Sequence, residues 1–242
     1  VVDRDLVDQV VEVEDARKLS DRMAKHYGPN ASGTILIKHQ SAVTNFLDKA
    51  QIKQDYEAEL ESLLTSTTGA SRVHIFDHTV RASDPAIREQ KQTREPATLV
   101  HNDYTANSGV QCLRENLPDE AGELSKKRFL IINLWRPLVD PVENFPLAFC
   151  DASSIAATDL VVTERRSPDH IGEISLATYN PAHRWLYFPD MRPNEVLLFK
   201  TFDSSAQGRH GCGVHTAIDI PGTPADVKPR ESIESRAFVF FD

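Results

Sequence analysis

Residues 129–135 read Phe-Leu-Ile-Ile-Asn-Leu-Trp and form the most apolar run in the chain. A short run of β-branched and aromatic residues between polar segments predicts a β-strand. Seven further runs share this texture: Val73–Phe76, Leu99–His101, Glu173–Tyr179, Trp185–Phe188, Glu195–Phe202, Val214–Asp219 and Ile233–Phe241. Because few helical patterns separate them, we expect a mainly antiparallel sandwich or barrel rather than a parallel sheet with crossover helices.

Helical patterns concentrate before this β-rich region. Apolar residues recur at helical spacing from Ile52 to Leu64, and Gly69 is a suitable end for that helix. A second helix-like pattern runs from residue 16 to residue 27. We therefore predict one domain over residues 1–242, with a helical N-terminal part over about residues 1–70 and a β core over about residues 71–242. A short helix in residues 118–127 and loops beside a site in residues 83–98 and 203–213 complete the prediction.

Composition narrows the possible partners. The 242 residues are 40% apolar and 26% charged, and the formal net charge is −9. An acidic chain is a poor match for nucleic acid or for an anionic membrane, since both favour a basic surface. No apolar stretch approaches the length of a membrane span, and the first residues lack the pattern of a secretory leader. We expect a cytoplasmic protein with a small-molecule partner.

The sequence His101-Asn102-Asp103, at the end of a predicted strand, indicates a metal site. Residues two apart in a strand point to the same face, so this imidazole and this carboxylate can bind one ion side by side. Two histidines and one carboxylate suit Fe(II), because three coordination positions stay open. Zinc with the same ligands and a water molecule is the chemical alternative.

Three downstream histidines compete for the position of third ligand. His183 precedes a predicted strand and His210 lies in a polar loop, where packing and solvent exposure are the simpler interpretations. His215 begins an apolar strand and is followed, after a Pro-rich loop, by Arg230-Glu231-Ser232. The planar guanidinium of an arginine binds a carboxylate through two hydrogen bonds, so this order predicts a site for a dicarboxylic co-substrate after the last ligand.

These segments resemble a known enzyme family. The resemblance runs from about residue 72 to the end, through His101–Thr105, Ile132–Pro137, Pro146–Ala148 with Cys150–Ala152, His183–Trp185, Phe188–Met191, Phe199–Ser204 and Pro229–Arg236. They are similar to the fungal Fe(II)/2-oxoglutarate-dependent oxygenases that include gibberellin desaturase-like and cephem methoxylase-related proteins. The resemblance implies a double-stranded β-helix, iron, 2-oxoglutarate and oxygen, and hydroxylation, desaturation or ring closure of a small molecule in secondary metabolism.

The same resemblance favours His215 over His210 as the third ligand, although the extra run Gly211-Cys212-Gly213 departs from the family pattern. For 2-oxoglutarate we predict Arg230 and Ser232, together with Asn133 and Arg236. Three more polar residues could reach the substrate: Arg81, Tyr104 and Arg136. Each also has a structural interpretation, as a core residue or as part of an ion pair within the fold.

Two other functions fit parts of the pattern. A zinc hydrolase would use the same three ligands, but it has no need of an arginine and a serine after the last one. A non-catalytic β-barrel binding protein would need no ligand set at all. Neither explains the metal motif and the Arg-x-Ser motif together.

Overall fold

Strands that alternate inward and outward side chains build two facing sheets. The computed structural model describes residues 6–19, 33–167, 170–205 and 213–242. Its strands are β1 (Val13–Asp15), β2 (Thr34–Lys38), β3 (Arg72–Ala82), β4 (His101–Asn102), β5 (Phe129–Pro137), β6 (Leu147–Cys150), β7 (Leu160–Ser167), β8 (His170–Ala177), β9 (Trp185–Tyr187), β10 (Glu195–Asp203), β11 (His215–Ala217) and β12 (Glu231–Phe240). The mainly β prediction is confirmed.

Within the part of the chain that the structure describes, the two sheets have seven and five strands. The larger has the order β1-β9-β6-β11-β4-β8-β7 and the smaller the order β2-β10-β5-β12-β3. Every strand pair is antiparallel except β1 with β9. Neighbours that are distant in sequence, such as β4 and β11, show the jelly-roll connectivity of the double-stranded β-helix, as the resemblance implies.

One long helix covers the outer face of the five-stranded sheet. Helix α1 runs through Lys49–Gln51, a π-helical turn Ile52–Tyr56, and Glu57–Thr68. Asp48 caps its start by accepting hydrogen bonds from two backbone N–H groups, and Gly69 ends it with a φ of 71°. The remaining helices are α2 (Pro85–Lys91), α3 (Ala106–Asn116) and α4 (Ala121–Leu124), with 3-10 turns at Ala16–Leu19, Ala152–Ser154 and Ala157–Asp159.

Strand alternation separates the two faces of β5. Leu130, Ile132 and Leu134 pack against buried residues of α1 on the outer face. Trp135, two residues after Asn133, points to the other side and packs with residues of the seven-stranded sheet, among them Phe149. The space between the sheets is therefore an apolar core at one end and, beside Asn133, a polar site.

The predictions and the structure differ in several elements. Within the expected helical N-terminal part, β1 and β2 each pair with a strand of the β core. The boundary near residue 70 stays a prediction, and residues 20–27 of the second expected helix lie outside the described residues. Strands β6 and β7 were not expected, and neither was α2 in the polar stretch 83–98. The short helix expected in residues 118–127 is present as α4. None of the described helices has both the length and the apolar character needed to cross a bilayer.

Candidate metal centre

The three predicted metal ligands meet where β4 pairs with β11. His101 lies directly opposite His215 in the register of this pair, and the two ring centroids are 4.4 Å apart. Asp103 follows β4 and returns to the same face as His101. One donor atom from each of these three residues lies within 4.8 Å of the donor atoms of the other two. Sheet register thus brings together residues that are more than a hundred positions apart.

Backbone carbonyls fix the orientation of both imidazoles. The Nδ1 atom of His101 lies 2.7 Å from the carbonyl oxygen of Leu99, and the Nδ1 atom of His215 lies 2.7 Å from that of Gly213. A carbonyl oxygen can only accept, so each Nδ1 carries the proton and donates. In the neutral rings, Nε2 then carries a lone pair that is available to a metal.

Asp103 is held by one of its two oxygens. Its Oδ2 atom accepts hydrogen bonds from Asn133 Nδ2 at 2.7 Å and from Arg236 Nε at 3.0 Å. Its Oδ1 atom lies 3.3 Å from His101 Nε2. Burial alone would raise the pKa of the Asp103 carboxyl, but the charge of Arg236 and the contact with His101 outweigh burial and hold that pKa well below its usual range. Asp103 is therefore ionised and presents Oδ1 to the histidines.

The two histidines titrate differently. Burial, together with the nearby His101 ring, lowers the pKa of His215 to about 4, so this ring is neutral at physiological pH. Burial also disfavours the charged form of His101, yet its hydrogen bond and charge interaction with Asp103 raise its pKa overall. The cluster thus contains a neutral imidazole, a carboxylate and a second imidazole for which protons and a metal compete.

Asn102, between the two adjacent ligands, ties the sheets together. Its side chain is buried. Its Nδ2 donates to the carbonyl oxygen of Thr201 at 3.1 Å, and its Oδ1 accepts from the backbone N–H of Gly213 at 2.9 Å. The first bond reaches β10 in the other sheet, and the second holds the residue whose carbonyl orients His215. Sequence analysis missed this role, although a polar residue flanked by two ligands was a usable signal.

A pocket beside the two histidines contains Arg230. It is lined by Arg81, Ala97, His101, Leu147, His215, Ala217, Arg230 and Glu234. The Arg230 side chain is 2% exposed; Nε donates to Ser232 Oγ at 3.2 Å, Nη1 donates to the carbonyl of Phe145, and the guanidinium lies 5.0 Å from the Trp135 ring centroid. Among the described residues Arg230 forms no ion pair. A buried guanidinium without a carboxylate is an unusual and costly arrangement.

Arg236 and Asn133 instead contact the metal ligand. Arg236 bonds to Asp103, Asp77 and Glu234, so its charge is matched within the fold. The carboxamide of Asn133 donates to Asp103 and accepts from the Thr201 hydroxyl at 3.1 Å. These contacts give both residues a position behind Asp103, which differs from the direct contact with 2-oxoglutarate predicted from the sequence.

Arg136, one of the predicted substrate residues, lies apart from the pocket. Strand alternation turns it to the outer face, where it donates to Tyr56 Oη at 3.1 Å, to the carbonyl of His39 at 2.9 Å and to that of Pro193 at 2.5 Å. The five-stranded sheet separates it from the pocket. These contacts satisfy the buried guanidinium within the fold, and substrate binding by Arg136 stays a prediction.

The other predicted residues divide between pocket and core. Arg81 lines the pocket, whereas Tyr104 packs in the apolar cluster beneath α3, with Oη 3.9 Å from Cys112 Sγ. His183 Nε2 lies 3.0 Å from Asp159 Oδ2, away from the described pocket. His210, the competing third ligand, lies outside the described residues.

Comparison with known proteins agrees with this geometry. A family profile described as an oxidoreductase/YMDC permease-like domain matches residues 3–240. The alpha-ketoglutarate-dependent dioxygenase phiK of Fungal sp. (strain ATCC 74256) is 32% identical over 93% of this chain and 83% of its own length. The hydroxylase/desaturase efuI of Hormonema carpetanum is 35% identical over 87% and 77% of the two lengths.

A solved structure extends the similarity to the fold. The iron and alpha-ketoglutarate-dependent endoperoxidase NvfI superposes with a TM-score of 0.82 at 28% identity, covering 95% of this chain and 84% of the other. The corresponding sequence, the Fe(II)/2-oxoglutarate-dependent dioxygenase nvfI of Aspergillus novofumigatus (strain IBT 16806), is 31% identical over 80% of this chain and 69% of its own length. Sequence and fold therefore point to the same group of proteins.

Proposed function

The chain belongs to the fungal Fe(II)- and 2-oxoglutarate-dependent dioxygenases, and from this premise we propose that His101, Asp103 and His215 hold the iron. We further propose that Arg230, with the Ser232 hydroxyl, binds the distal carboxylate of 2-oxoglutarate. The enzyme is an oxidoreductase of secondary metabolism that acts on a small molecule with oxygen as co-substrate. Hydroxylation, desaturation and ring closure are the outcomes open to it.

One observation carries the residue assignment. Two imidazole nitrogens with free lone pairs and one ionised carboxylate oxygen converge in the same pocket as a buried arginine that lacks a carboxylate partner among the described residues. Two nitrogens and one oxygen form the facial set that Fe(II) prefers. A dicarboxylate can bind the metal at one end and compensate the Arg230 charge at the other.

Each of these residues has a separate task. Bound iron supplies oxygen activation, coupled to the oxidative decarboxylation of 2-oxoglutarate to succinate. The charge of Arg236 helps to keep Asp103 ionised, and hydrogen bonds from Arg236 and Asn133 to Oδ2 leave Oδ1 free for the metal. The carbonyls of Leu99 and Gly213 would direct both Nε2 atoms to the metal. Leu147 and Ala217 give the pocket apolar walls that exclude water from the reacting centre.

The zinc hydrolase considered above shares these ligands, but it leaves Arg230 unexplained, and the relatives are oxygenases. A location in the cytoplasm stays a prediction. The names of the relatives cover hydroxylases, desaturases and an endoperoxidase, so membership of the family does not choose among the outcomes.

Anaerobic titration tests the assignment. Metal-free protein should develop a weak visible charge-transfer band when Fe(II) and then 2-oxoglutarate are added. Arg230→Lys keeps the positive charge but loses the two-pronged geometry, and we expect a roughly ten- to hundredfold weaker affinity for 2-oxoglutarate with unchanged Fe(II) affinity. Arg72→Lys, in an exposed ion pair with Glu120, is the control. A normal 2-oxoglutarate affinity in Arg230→Lys and Arg230→Met would refute this role.

A further inference from the structure

A second arginine, Arg81, lines the pocket without a carboxylate hydrogen-bonded to it among the described residues. It lies on β3, opposite Ser232 of β12 in the sheet register. Its Nη1 donates to the carbonyl of Glu95 at 2.7 Å, so the guanidinium is held between β3 and the segment that follows α2. Within the described part of the chain this is its one hydrogen bond, and it forms no ion pair there.

The arginines around the pocket differ in their ion pairs. Arg236 bonds to three carboxylates, including Glu234, which is the acidic residue of the pocket lining. Arg81 and Arg230 are then two cations without carboxylate partners among the described residues. Burial lowers the pKa of Arg81, and the like charges of Arg236 and Arg94 add to this effect, while the charges of Glu234 and Asp103 oppose it. Two ligand carboxylates would compensate both arginines.

The proposed co-substrate supplies only one of them. Of the two carboxylates of 2-oxoglutarate, one binds the metal and the other is assigned to Arg230, so this step rests on the proposed function. Arg81 then remains for a different anion. It is also the more accessible of the two, being half-buried, whereas Arg230 is 2% exposed. A ligand that enters after 2-oxoglutarate can reach Arg81 without displacing it.

We propose that Arg81 binds a carboxylate of the organic substrate, and that the substrate of this enzyme is therefore a carboxylic acid. The hydrogen bond to Glu95 uses one N–H of the guanidinium and leaves the others for a two-pronged contact with an oxyanion. The Arg81 contact would fix one end of the substrate while another part lies near the metal ligands, which orients the bond to be oxidised.

Matched acids and amides provide the test. The anaerobic Fe(II)–2-oxoglutarate protein would be titrated with cyclohexanecarboxylate and phenylacetate, and with their neutral amides, while the charge-transfer band is followed. We expect the acids to bind at least about tenfold more tightly than the amides. Arg81→Gln should remove this preference, weakening acid binding by about ten- to hundredfold and leaving amide binding and 2-oxoglutarate affinity unchanged. Arg81→Lys should retain part of it.

Arg72→Gln is the control, since Arg72 lies on the same strand in an exposed ion pair. If Arg81→Gln weakens 2-oxoglutarate instead and leaves the acid preference intact, Arg81 assists Arg230 and the proposal is overturned. Equal binding of acids and amides by the unaltered protein overturns it as well. Failure of the proposed function has a different signature, because the charge-transfer band would then be absent before any acid is added.

Discussion

Two backbone carbonyls decide which nitrogen each ligand histidine offers to a metal. Those of Leu99 and Gly213 each lie two residues before the histidine that they orient. The local geometry is the same on β4 and β11, so both rings present Nε2 to the space between them. At the scale of single residues, the orientation of the ligands therefore depends on backbone conformation as much as on the identity of the ligands.

Removing any one of the three ligands should abolish metal binding. His101→Ala, Asp103→Ala and His215→Ala each leave an incomplete facial set, so we expect loss of stoichiometric Fe(II) binding with the far-ultraviolet circular dichroism retained. His74→Ala, on β3 outside the pocket, should bind one equivalent of metal. Loss of binding in His210→Ala but not in His215→Ala would show that the third ligand is misassigned.

Asn133 and Arg236 donate hydrogen bonds to Asp103, so replacing them should change the affinity for metal and not the affinity for 2-oxoglutarate. In Asn133→Ala or Arg236→Lys, Oδ2 loses a hydrogen bond at 2.7 Å or the Nε contact at 3.0 Å, and the carboxylate is free to rotate. We expect metal affinity to fall about ten- to hundredfold. Co(II) titration measures this directly, with Arg72→Lys as the control. A variant that binds Co(II) normally but binds 2-oxoglutarate poorly would restore the direct contact predicted from the sequence.

At the scale of elements, the outer face of β5 carries buried polar contacts, as the inner face does at the site. Arg136 lies 5.5 Å from the centre of the Tyr56 ring and joins α1 to the segments that carry His39 and Pro193. The sheet thus carries buried polar groups on both faces. Those on the outer face connect elements of the fold, and those on the inner face surround the ligands.

Arg136→Met should lower stability without impairing the site. The substitution leaves the Tyr56 hydroxyl and two carbonyls without their donor, so we expect the free energy of unfolding to fall by about 2–4 kcal/mol. Denaturant unfolding measures it, and Arg192→Met, which breaks an exposed pair with Asp140, should cost less than about 1 kcal/mol. Folded Arg136→Met should bind Fe(II) and 2-oxoglutarate normally. A selective loss of substrate binding would instead support the prediction that Arg136 binds substrate.

The end of β10 should make stability sensitive to acid. Burial alone would raise the pKa of the Asp203 carboxyl, but hydrogen bonds from Arg128 and Ser205 and the charge of Lys200 lower it below the ordinary value. A carboxylate with a depressed pKa stabilises the fold at pH above about 4, and this contribution is lost as the pH falls through the folded-state pKa. Asp203→Asn should therefore be less stable at pH 7, by roughly 1–2 kcal/mol, and the difference should narrow from pH 4 to pH 2. A difference in the free energy of unfolding that stays constant from pH 4 to pH 2 would contradict this prediction.

At the scale of the whole molecule, both sheets contribute residues to the site. The ligands lie on β4, β11 and the residue after β4, while Arg230 precedes β12 and Arg236 lies within it. Metal and 2-oxoglutarate together would therefore contact one sheet through the histidines and the other through the arginine. Binding to the folded state alone should stabilise the protein as a unit.

Removing the metal should accordingly lower stability. With ligand at about a hundred times its dissociation constant, we expect about 2.7 kcal/mol of added stability, and a chelator should reverse it. Thermal unfolding with Co(II), with Co(II) and 2-oxoglutarate, and with a chelator measures the steps. In His101→Ala the metal should have no effect. A chelator-insensitive unfolding temperature in the unaltered protein would argue against a site that exists only in the folded state.

A feature of the fold can be predicted from the sequence when the pattern that indicates it lies within a short stretch of the chain. The strand from residue 129 and the helix that ends at Gly69 are visible because their side-chain periodicity is local. The pairing of His101 with His215 is not local, and only the motif order and the resemblance suggested it. The side of the sheet that Arg136 faces depends on which alternate residues of β5 point inward. Because most residues of β5 are apolar, the sequence does not show this alternation.

The two strands nearest the N-terminus occupy a sheet edge each: β1 lies beside β9, and β2 lies beside β10. Bare edges present unpaired N–H and C=O groups to other chains and promote aggregation. Deleting residues 1–40 should uncover an edge on both sheets at once, even though the metal ligands and the pocket arginines all lie further along the chain. We expect such a truncated protein to self-associate through its exposed strands. Residues 1–40 would then protect the protein against aggregation.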